Sequence, residues 1–246
     1  MTADVPVTYF DTIDSTNAEA RRQAEAGEAG PHWYAASRQT AGRGRRGRAW
    51  ESPTGNLAAT LLVTTDLPLT QAAQISFVAA VSVAEALNQW IAPERVRVKW
   101  PNDVMIDDTK VCGILVESGK APGGGHWVAI GIGVNLAVPP EVSERPATAL
   151  ALHMDGPPPS MEEALEVLAE TMDAWIGVWD EVGFVAIADL WTARAYRLGE
   201  ACQVRLTEQT LHGVAEGLDS DGALRLRLED GSVRQITAGD VFFGEA

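Results

Sequence analysis

The sequence predicts an α+β protein: a large body of helices and strands followed by a small β-barrel. Three observations predict it. Up to about residue 195, short apolar strand-like runs take turns with runs of helical period. Beyond Arg197 the helical period stops, and four short strand-like runs follow with Asp- and Gly-rich turns between them. The 246 residues are enough to bury a sizeable core without disulfides or a structural metal. The predicted boundary divides a body over 1–197 from a C-terminal unit over 198–246.

The elements follow in order. Residues 5–10 read as a short strand. Residues 16–26 read as a helix, with Thr16 and Glu19 fitting a capping box and Gly27 the stop. A strand over 33–37 leads into an arginine-rich loop, and 56–64 is a strongly apolar strand. Residues 71–91 carry Ala73, Phe77, Val81, Ala84 and Leu87 at helical spacing. Val96 and Val98 alternate with polar neighbours, so 95–100 is a strand stopped by Pro101. Two strands, 111–118 and 127–136, flank a Gly- and Pro-rich hairpin turn. Ser160 and Glu163 open the helix 161–180, whose Met161, Leu165, Leu168, Met172, Trp175 and Trp179 form one apolar stripe. A shorter helix, 184–195, follows Gly183. The final strands cover 201–207, 210–218, 223–229 and 232–237, with turns at 219–222 and 229–231.

Charge excludes some functions. Nineteen basic residues face 34 acidic ones, for a net charge of −15. DNA and anionic membranes require Lys and Arg in bulk, so neither is an expected partner. Residues 67–84 are uncharged, but Pro68, Thr70, Gln71, Gln74, Ser76 and Ser82 spoil a membrane span. Cys112 and Cys202 are too far apart in sequence for a metal-type cluster and are expected as free thiols in a reducing cytoplasm. The four histidines show no metal-ligand spacing.

Against that acidic background, residues 38–48 hold five arginines and no acid. The remaining 14 bases face all 34 acids, leaving a −20 body around a +5 loop. Gly42-Arg-Gly-Arg-Arg-Gly47 matches GxGxxG, but Pro53 and Gly55 follow where a dinucleotide fingerprint needs a helix. Its glycines permit close approach of an anion, and arginine forks grip carboxylate or phosphate. With little apolar matter to bury, such a loop is expected to order around an anionic ligand. An RNA-contacting segment is the alternative.

Other segments place polar groups at element ends. Asp14-Ser-Thr-Asn17 stands at a helix start, able to cap it and to meet a compact polar ligand. Lys99-Trp-Pro-Asn-Asp103 leaves Asn102 and Asp103 at a strand tip, as a functional pair or an Asx turn. Lys110 heads an apolar strand that continues to Glu117, either aimed into a site or at the surface. Gly131-Ile-Gly-Val-Asn135 ends another strand in a polar tip, where Asn135 is a ligand or a cap.

In this order, Asp14–Asn17, Gln39–Trp50, Lys99–Asp103, Lys110–Glu117 and Gly131–Asn135 resemble the biotin–protein ligases, over essentially the whole chain. The arginine loop and the Lys-Trp-Pro-Asn-Asp segment are highly specific as a pair. The resemblance implies a mixed sheet flanked by helices, the class II synthetase-like biotin–lipoate ligase fold, with an SH3-like C-terminal barrel. It implies two reactions. Biotin and MgATP give biotinyl-5′-AMP and pyrophosphate. A lysine of a biotin carboxyl carrier protein domain, from acetyl-CoA carboxylase or a related carboxylase, then attacks the mixed anhydride. ATP, biotin and Mg²⁺ are the implied ligands, with no residue assigned to the metal.

By the same resemblance, Ser15, Thr16, Asn17 and Gln39 contact the biotin ring system. Arg43, Gly44 and Arg45 belong to the biotin and acyl-phosphate loop. Arg48 reaches the nucleotide phosphates, Trp50 flanks adenine, and Asn102 and Asn135 serve the nucleotide. Lys110 stands near the biotin carboxylate and α-phosphate, with Asp103 at the reacting centre, so Lys110, Arg45 and Asp103 are the expected catalytic residues. The first motif begins at Asp14, leaving no room for the winged-helix domain of the repressor forms; a ligase without repressor function is expected. A homodimer is compatible with the resemblance. A lipoate–protein ligase is the competing enzyme.

Overall fold

The protein is described from a computed structural model covering residues 5–141 and 146–244. Strands β1 (Val7–Phe10), β2 (His32–Ala36), β3 (Leu57–Thr65), β4 (Val96–Lys99), β5 (Asp103–Ile106), β6 (Thr109–Lys120) and β7 (His126–Val134) form one sheet. Its order is β1-β2-β3-β7-β6-β5-β4. The pair β1–β2 is parallel and the other pairs are antiparallel, so the sheet is mixed.

Strand alternation divides this sheet between two layers. Trp33, Leu61, Val128 and Ile130 point to the main core. Their neighbours Tyr34, Leu62, Trp127 and Ala129 point to the other face, under Ala20 and Ala24 of helix α1 (Thr16–Glu25). The main core is covered by α3 (Ile75–Leu87), α4 (Met161–Val182) and α5 (Phe184–Ala193), while the one-turn α2 (Leu69–Ala72) leads into α3. The run Leu69–Leu87 is apolar and long enough by composition to cross a membrane. Here α3 is a core helix, buried at every position except Ser76 and Glu85.

Several predicted boundaries shift. The helix expected over 71–91 breaks into α2 and α3 and ends at Leu87. Ser15, not Thr16, caps α1, accepting from the Ala18 amide. The Thr16 hydroxyl instead accepts from the Thr60 hydroxyl on β3 at 2.8 Å. The capping box of Ser160 and Glu163 forms as the sequence predicts. Gly183, with φ of 87°, separates α4 from α5 in a conformation an L side chain resists.

The C-terminal sheet has five strands, not four: β8 (Ala201–Arg205), β9 (Thr210–Leu218), β10 (Leu224–Arg227), β11 (Val233–Ile236) and β12 (Asp240–Phe243). It is antiparallel throughout, in the SH3-like order β11-β10-β9-β8-β12. The extra strand, β12, pairs with β8 at the far end of the unit, a partnership that local sequence pattern cannot signal. Val204, Leu226 and Val241 join the main core. The turn before β10 docks on the body, where Trp100 Nε1 donates to Gly222 O at 3.1 Å. A Cβ on Gly222 would stand 2.6 Å from the Phe77 ring, so glycine permits this approach.

Candidate active site

The α1 face of the sheet is stripped of side chains where β6 and β7 meet. Gly113 pairs with Gly133, and Leu115 with Gly131. A Cβ on Gly133 would stand 2.4 Å from the Trp50 indole, and one on Gly131 would stand 2.0 Å from Asn17 Oδ1. The paired glycines thus let Trp50 lie directly on the sheet, and Gly131 admits Asn17. The result is a cavity of about 450 Å³, floored by backbone.

One end of the cavity is polar. Asn17 Nδ2 donates to Leu115 O at 3.1 Å and to Glu117 Oε2 at 2.9 Å. Its Oδ1 lies 2.7 Å from the Thr60 hydroxyl, itself 2.8 Å from that of Thr16. Gln39 Oε1 accepts from the Thr16 amide at 2.8 Å, and Gln39 Nε2 donates to Ser52 at 2.9 Å. Both N–H donors of Asn17 are therefore engaged within the protein, which makes it a rigid part of the wall. Thr60, fully buried on β3, and Glu117, the last residue of the Lys110–Glu117 segment, complete this network; no local motif marks Thr60.

The reactive end is built by β4, β5 and β6. The chain turns at Trp100–Asn102, and Asp103, expected at a strand tip, instead opens β5 opposite Gly113. Asn102 Nδ2 donates to Ile114 O, and its Oδ1 accepts from Arg45 Nη1 at 3.3 Å. Lys110 Nζ lies 2.6 Å from Asp103 Oδ1 and 5.4 Å from the centre of the Trp50 ring. A lysine paired with a carboxylate beside an aromatic face is held in place yet keeps N–H donors for a ligand.

The arginine loop forms the lid side. The sequence predicts that an anionic ligand orders it. The structure supplies an anion from the protein itself, Asp240 at the start of β12. Arg48 Nη2 is 3.0 Å from that carboxylate, Arg46 Nη1 3.3 Å and Arg45 Nη1 4.0 Å. Arg45 also donates to Gly239 O at 3.3 Å, and Arg43 pairs with Glu117 at 2.9 Å. Arg43 and Ala49 form a β-bridge that closes the loop, and Arg46 takes a left-handed conformation with φ of 58° at its tip. Burial lowers the pKa of the Arg45 guanidinium, and Asp240 opposes that shift. Asp240 lies in the C-terminal unit, almost 200 residues beyond the loop, so nothing in the local sequence pointed to it.

Asn135 follows β7. Its Nδ2 donates to Thr148 O at 3.0 Å, which ties the segment after residue 145 to the strand end. Every residue assigned to the site from the sequence lines the one cavity: Ser15, Thr16, Asn17, Gln39, Arg43, Gly44, Arg45, Arg48, Trp50, Asn102, Asp103, Lys110 and Asn135. Asp240, Gly113 and Ala147 line it as well and were not foreseen. Chemically, four cationic side chains face a pocket with a glycine-backbone floor, the Trp50 ring beside it, and a hydrogen-bonding end. That arrangement suits a small ligand carrying an anion at one end and amide-like groups at the other.

The chain is similar to known proteins. The Biotin/lipoate A/B protein ligase family model matches residues 9–135, and the Biotin protein ligase C terminal domain model matches residues 198–244. The biotin–[acetyl-CoA-carboxylase] ligase of Paracoccus denitrificans is 43% identical over 236 residues, covering 94% of this chain and 98% of that one. The bifunctional ligase/repressor BirA of Escherichia coli is 29% identical over 241 residues, covering 96% of this chain and 73% of that one. Among solved structures, the biotin protein ligase of Aquifex aeolicus in complex with biotin and ATP superposes with a TM-score of 0.82 at 27% identity, covering 98% of this chain and 99% of that one.

Proposed function

The chain belongs to the biotin/lipoate A/B protein ligase family, as a biotin protein ligase, and from that premise we propose that it joins biotin to a carrier protein in two ATP-driven steps. In the first, the biotin carboxylate attacks the α-phosphate of ATP, giving biotinyl-5′-AMP and pyrophosphate. In the second, a lysine amine of a biotin carboxyl carrier domain attacks the acyl carbon, AMP leaves, and the amine gives up a proton. The carrier belongs to acetyl-CoA carboxylase or a related carboxylase, as the name of the Paracoccus relative suggests. One observation carries the reading: residues from five separated sequence segments, each matching the ligase pattern, line a single cavity of ligand size.

The geometry suggests how the residues divide the work. The polar end formed by Ser15, Thr16, Asn17 and Gln39 receives the ring system of biotin. Lys110 stands where the biotin carboxylate meets the α-phosphate, and its cation offsets their mutual repulsion. Asp103 holds Lys110 in position at 2.6 Å. Arg43, Gly44 and Arg45 cover the acyl-phosphate, and their closure keeps water from the mixed anhydride. Arg48 takes the nucleotide phosphates, replacing its contact with Asp240. Trp50, Asn102 and Asn135 border the nucleoside. Positioning and electrostatics suffice, so neither step needs an enzyme nucleophile.

ATP would bring Mg²⁺ to this site as its complex. The ion is normally held by phosphates, waters and one or two carboxylates, so an all-protein cage is not required. Asp103 and Asp240 are hard oxygen donors facing the cavity and fit that role. When bound, the ion would supply charge neutralisation at the phosphates.

The net charge of −15 supports a ligase that does not bind DNA. Two free, buried cysteines suit the cytoplasm. We also propose that 1–197 and 198–246 act as catalytic and C-terminal domains, which the family match over 198–244 supports.

Mass spectrometry after mixing the protein with biotin, MgATP and a carrier domain tests the function. A biotin-sized gain on one carrier lysine is expected. Pyrophosphate release with lipoate and none with biotin would replace the reading with that of a lipoate ligase.

A further inference from the structure

Pairing between β6 and β7 stops at Cys112 and Val134. Two positions on, at Lys110, another segment takes over the same edge. Lys110 N donates to Pro146 O at 3.0 Å, and Thr148 N donates to Lys110 O at 2.9 Å. Lys110 and Ala147 form a parallel bridge. The backbone of Lys110 is thus held between β5 and residues 146–148.

Two side chains fasten that segment. Asn135 reaches Thr148 O, as described above. The second is His153, whose Nε2 lies 2.7 Å from the Thr148 hydroxyl. The other ring nitrogen, Nδ1, lies 2.8 Å from Arg95 Nη2. A guanidinium only donates, so Nδ1 must accept and the ring proton sits on Nε2, donating to Thr148. Only this neutral form makes both contacts. Arg95 is fixed in turn by Asp107, with contacts of 3.2 and 2.8 Å, and donates to His153 O at 3.2 Å.

Arg95, before β4, and Asp107, in the β5–β6 turn, are the charged groups that face His153 among the described residues. Asp107 Oδ2 is 3.7 Å from Nδ1. Burial, followed by the charge of Arg95, lowers the pKa of His153, and Asp107 opposes them. A proton on Nδ1 would face the guanidinium and break the contact to Arg95.

We propose that His153 is a positioning residue for biotin activation: as a neutral Nε2–H imidazole it pins Thr148, and through residues 146–148 it holds Lys110 at the reacting centre. This rests on the reading of Lys110 as the cation at the biotin carboxylate. Protonation of His153 loosens the segment, so activation acquires an acid limb that belongs to a residue outside the cavity.

The test compares the full-length protein with His153→Ala, His153→Gln and Lys110→Ala. Glutamine keeps an acceptor for Arg95 and a donor for Thr148 but does not titrate. Biotin- and MgATP-dependent pyrophosphate release is followed from about pH 5 to about pH 8.5. At the alkaline end, His153→Ala should lower kcat about tenfold, a displacement effect, with the KM for biotin little changed. His153→Gln should restore most of kcat and remove the acid limb. An acid limb unchanged in His153→Gln, or a wild-type kcat in His153→Ala, overturns the proposal. If His153→Ala does not fold, the glutamine variant alone decides.

Amide exchange provides a readout independent of turnover. The Thr148 and Lys110 amides should exchange about tenfold faster in His153→Ala, or in the wild type once His153 is protonated. Unchanged exchange overturns the proposal. Full turnover in Lys110→Ala would refute the role of Lys110, and the exchange measurement would still decide whether His153 fixes its backbone.

Discussion

Lys110 Nζ lies 2.6 Å from Asp103 Oδ1 because β6 carries one residue too many. Val104 pairs with Cys112, but Met105 pairs with Lys110, so Val111 is the extra residue of a bulge. In a regular ladder Lys110 would oppose Ile106 and share the face of Val104 and Cys112, which is the main core. The bulge moves it to the face of Asp103 and Gly113, where the cavity lies. One inserted residue decides whether this lysine is buried in hydrocarbon or presented to a ligand.

Lys110→Ala should therefore lower biotin-dependent pyrophosphate release by about 10²- to 10³-fold, the usual effect of losing one transition-state donor. Circular dichroism should remain that of the wild type. Turnover within about twofold of wild type would rule out Lys110 as the activating cation.

Gly131→Ala should act on Asn17. The added methyl would stand 2.0 Å from Asn17 Oδ1, so the side chain or the strand must move. A cost of about 1–3 kcal/mol is expected from overpacking. Urea unfolding measures that cost, and calorimetry should show weaker biotin binding. Affinity equal to wild type would place biotin elsewhere.

Asp240→Ala should release the arginine loop. Three guanidiniums lose their common partner, and local opening is set by such contacts. Trypsin should cut after Arg45 or Arg46 about tenfold faster than in the wild type, with the rest of the chain still resistant. An unchanged cleavage rate would show that other contacts hold the loop.

Asp14 gives a pH prediction. Its carboxylate is held by Arg22 at 2.8 Å, which together with the Ser15 amide lowers its pKa to about 2. A depressed carboxylate stabilises the fold above its unfolded pKa of about 4 and loses that contribution as pH falls through about 2. The pair is half exposed, so solvent screening limits it to under about 1 kcal/mol. Asp14→Asn should lower the urea midpoint slightly at pH 7, and the gap to wild type should close between about pH 4 and about pH 2. A gap that persists at the acid end would mean that Asp14 acts through something other than charge.

Much of the fold could be read locally. Periodicity marks α3 and α4, because a helix repeats its buried face every three to four residues. Ser160 and Glu163 announce the start of α4 by a contact between near neighbours. The arginine loop, Lys99–Asp103 and Lys110 were legible as motifs because their chemistry is concentrated in short segments. Strands β5 and β12 were not: each is four residues long, β5 is buried throughout and so lacks an apolar–polar alternation, and β12 takes its partner β8 from far back in the chain. Capping by Ser15 and not Thr16 was also hidden, because buried Thr60 competes for the Thr16 hydroxyl.

By itself, the sequence determined which residue types this protein brings to its ligand: a +5 loop within a −20 body, a lysine at the head of a strand, and small polar groups at a helix start. Tertiary structure decided how they face one another. The bulge at Val111 turns Lys110 toward Asp103, glycines on paired strands make room for Trp50 and Asn17, and Asp240, distant in sequence, gathers three arginines of one loop. Each of these depends on register or on contact between distant segments. Local composition does not encode such relationships, because they exist only once the sheets have paired and packed.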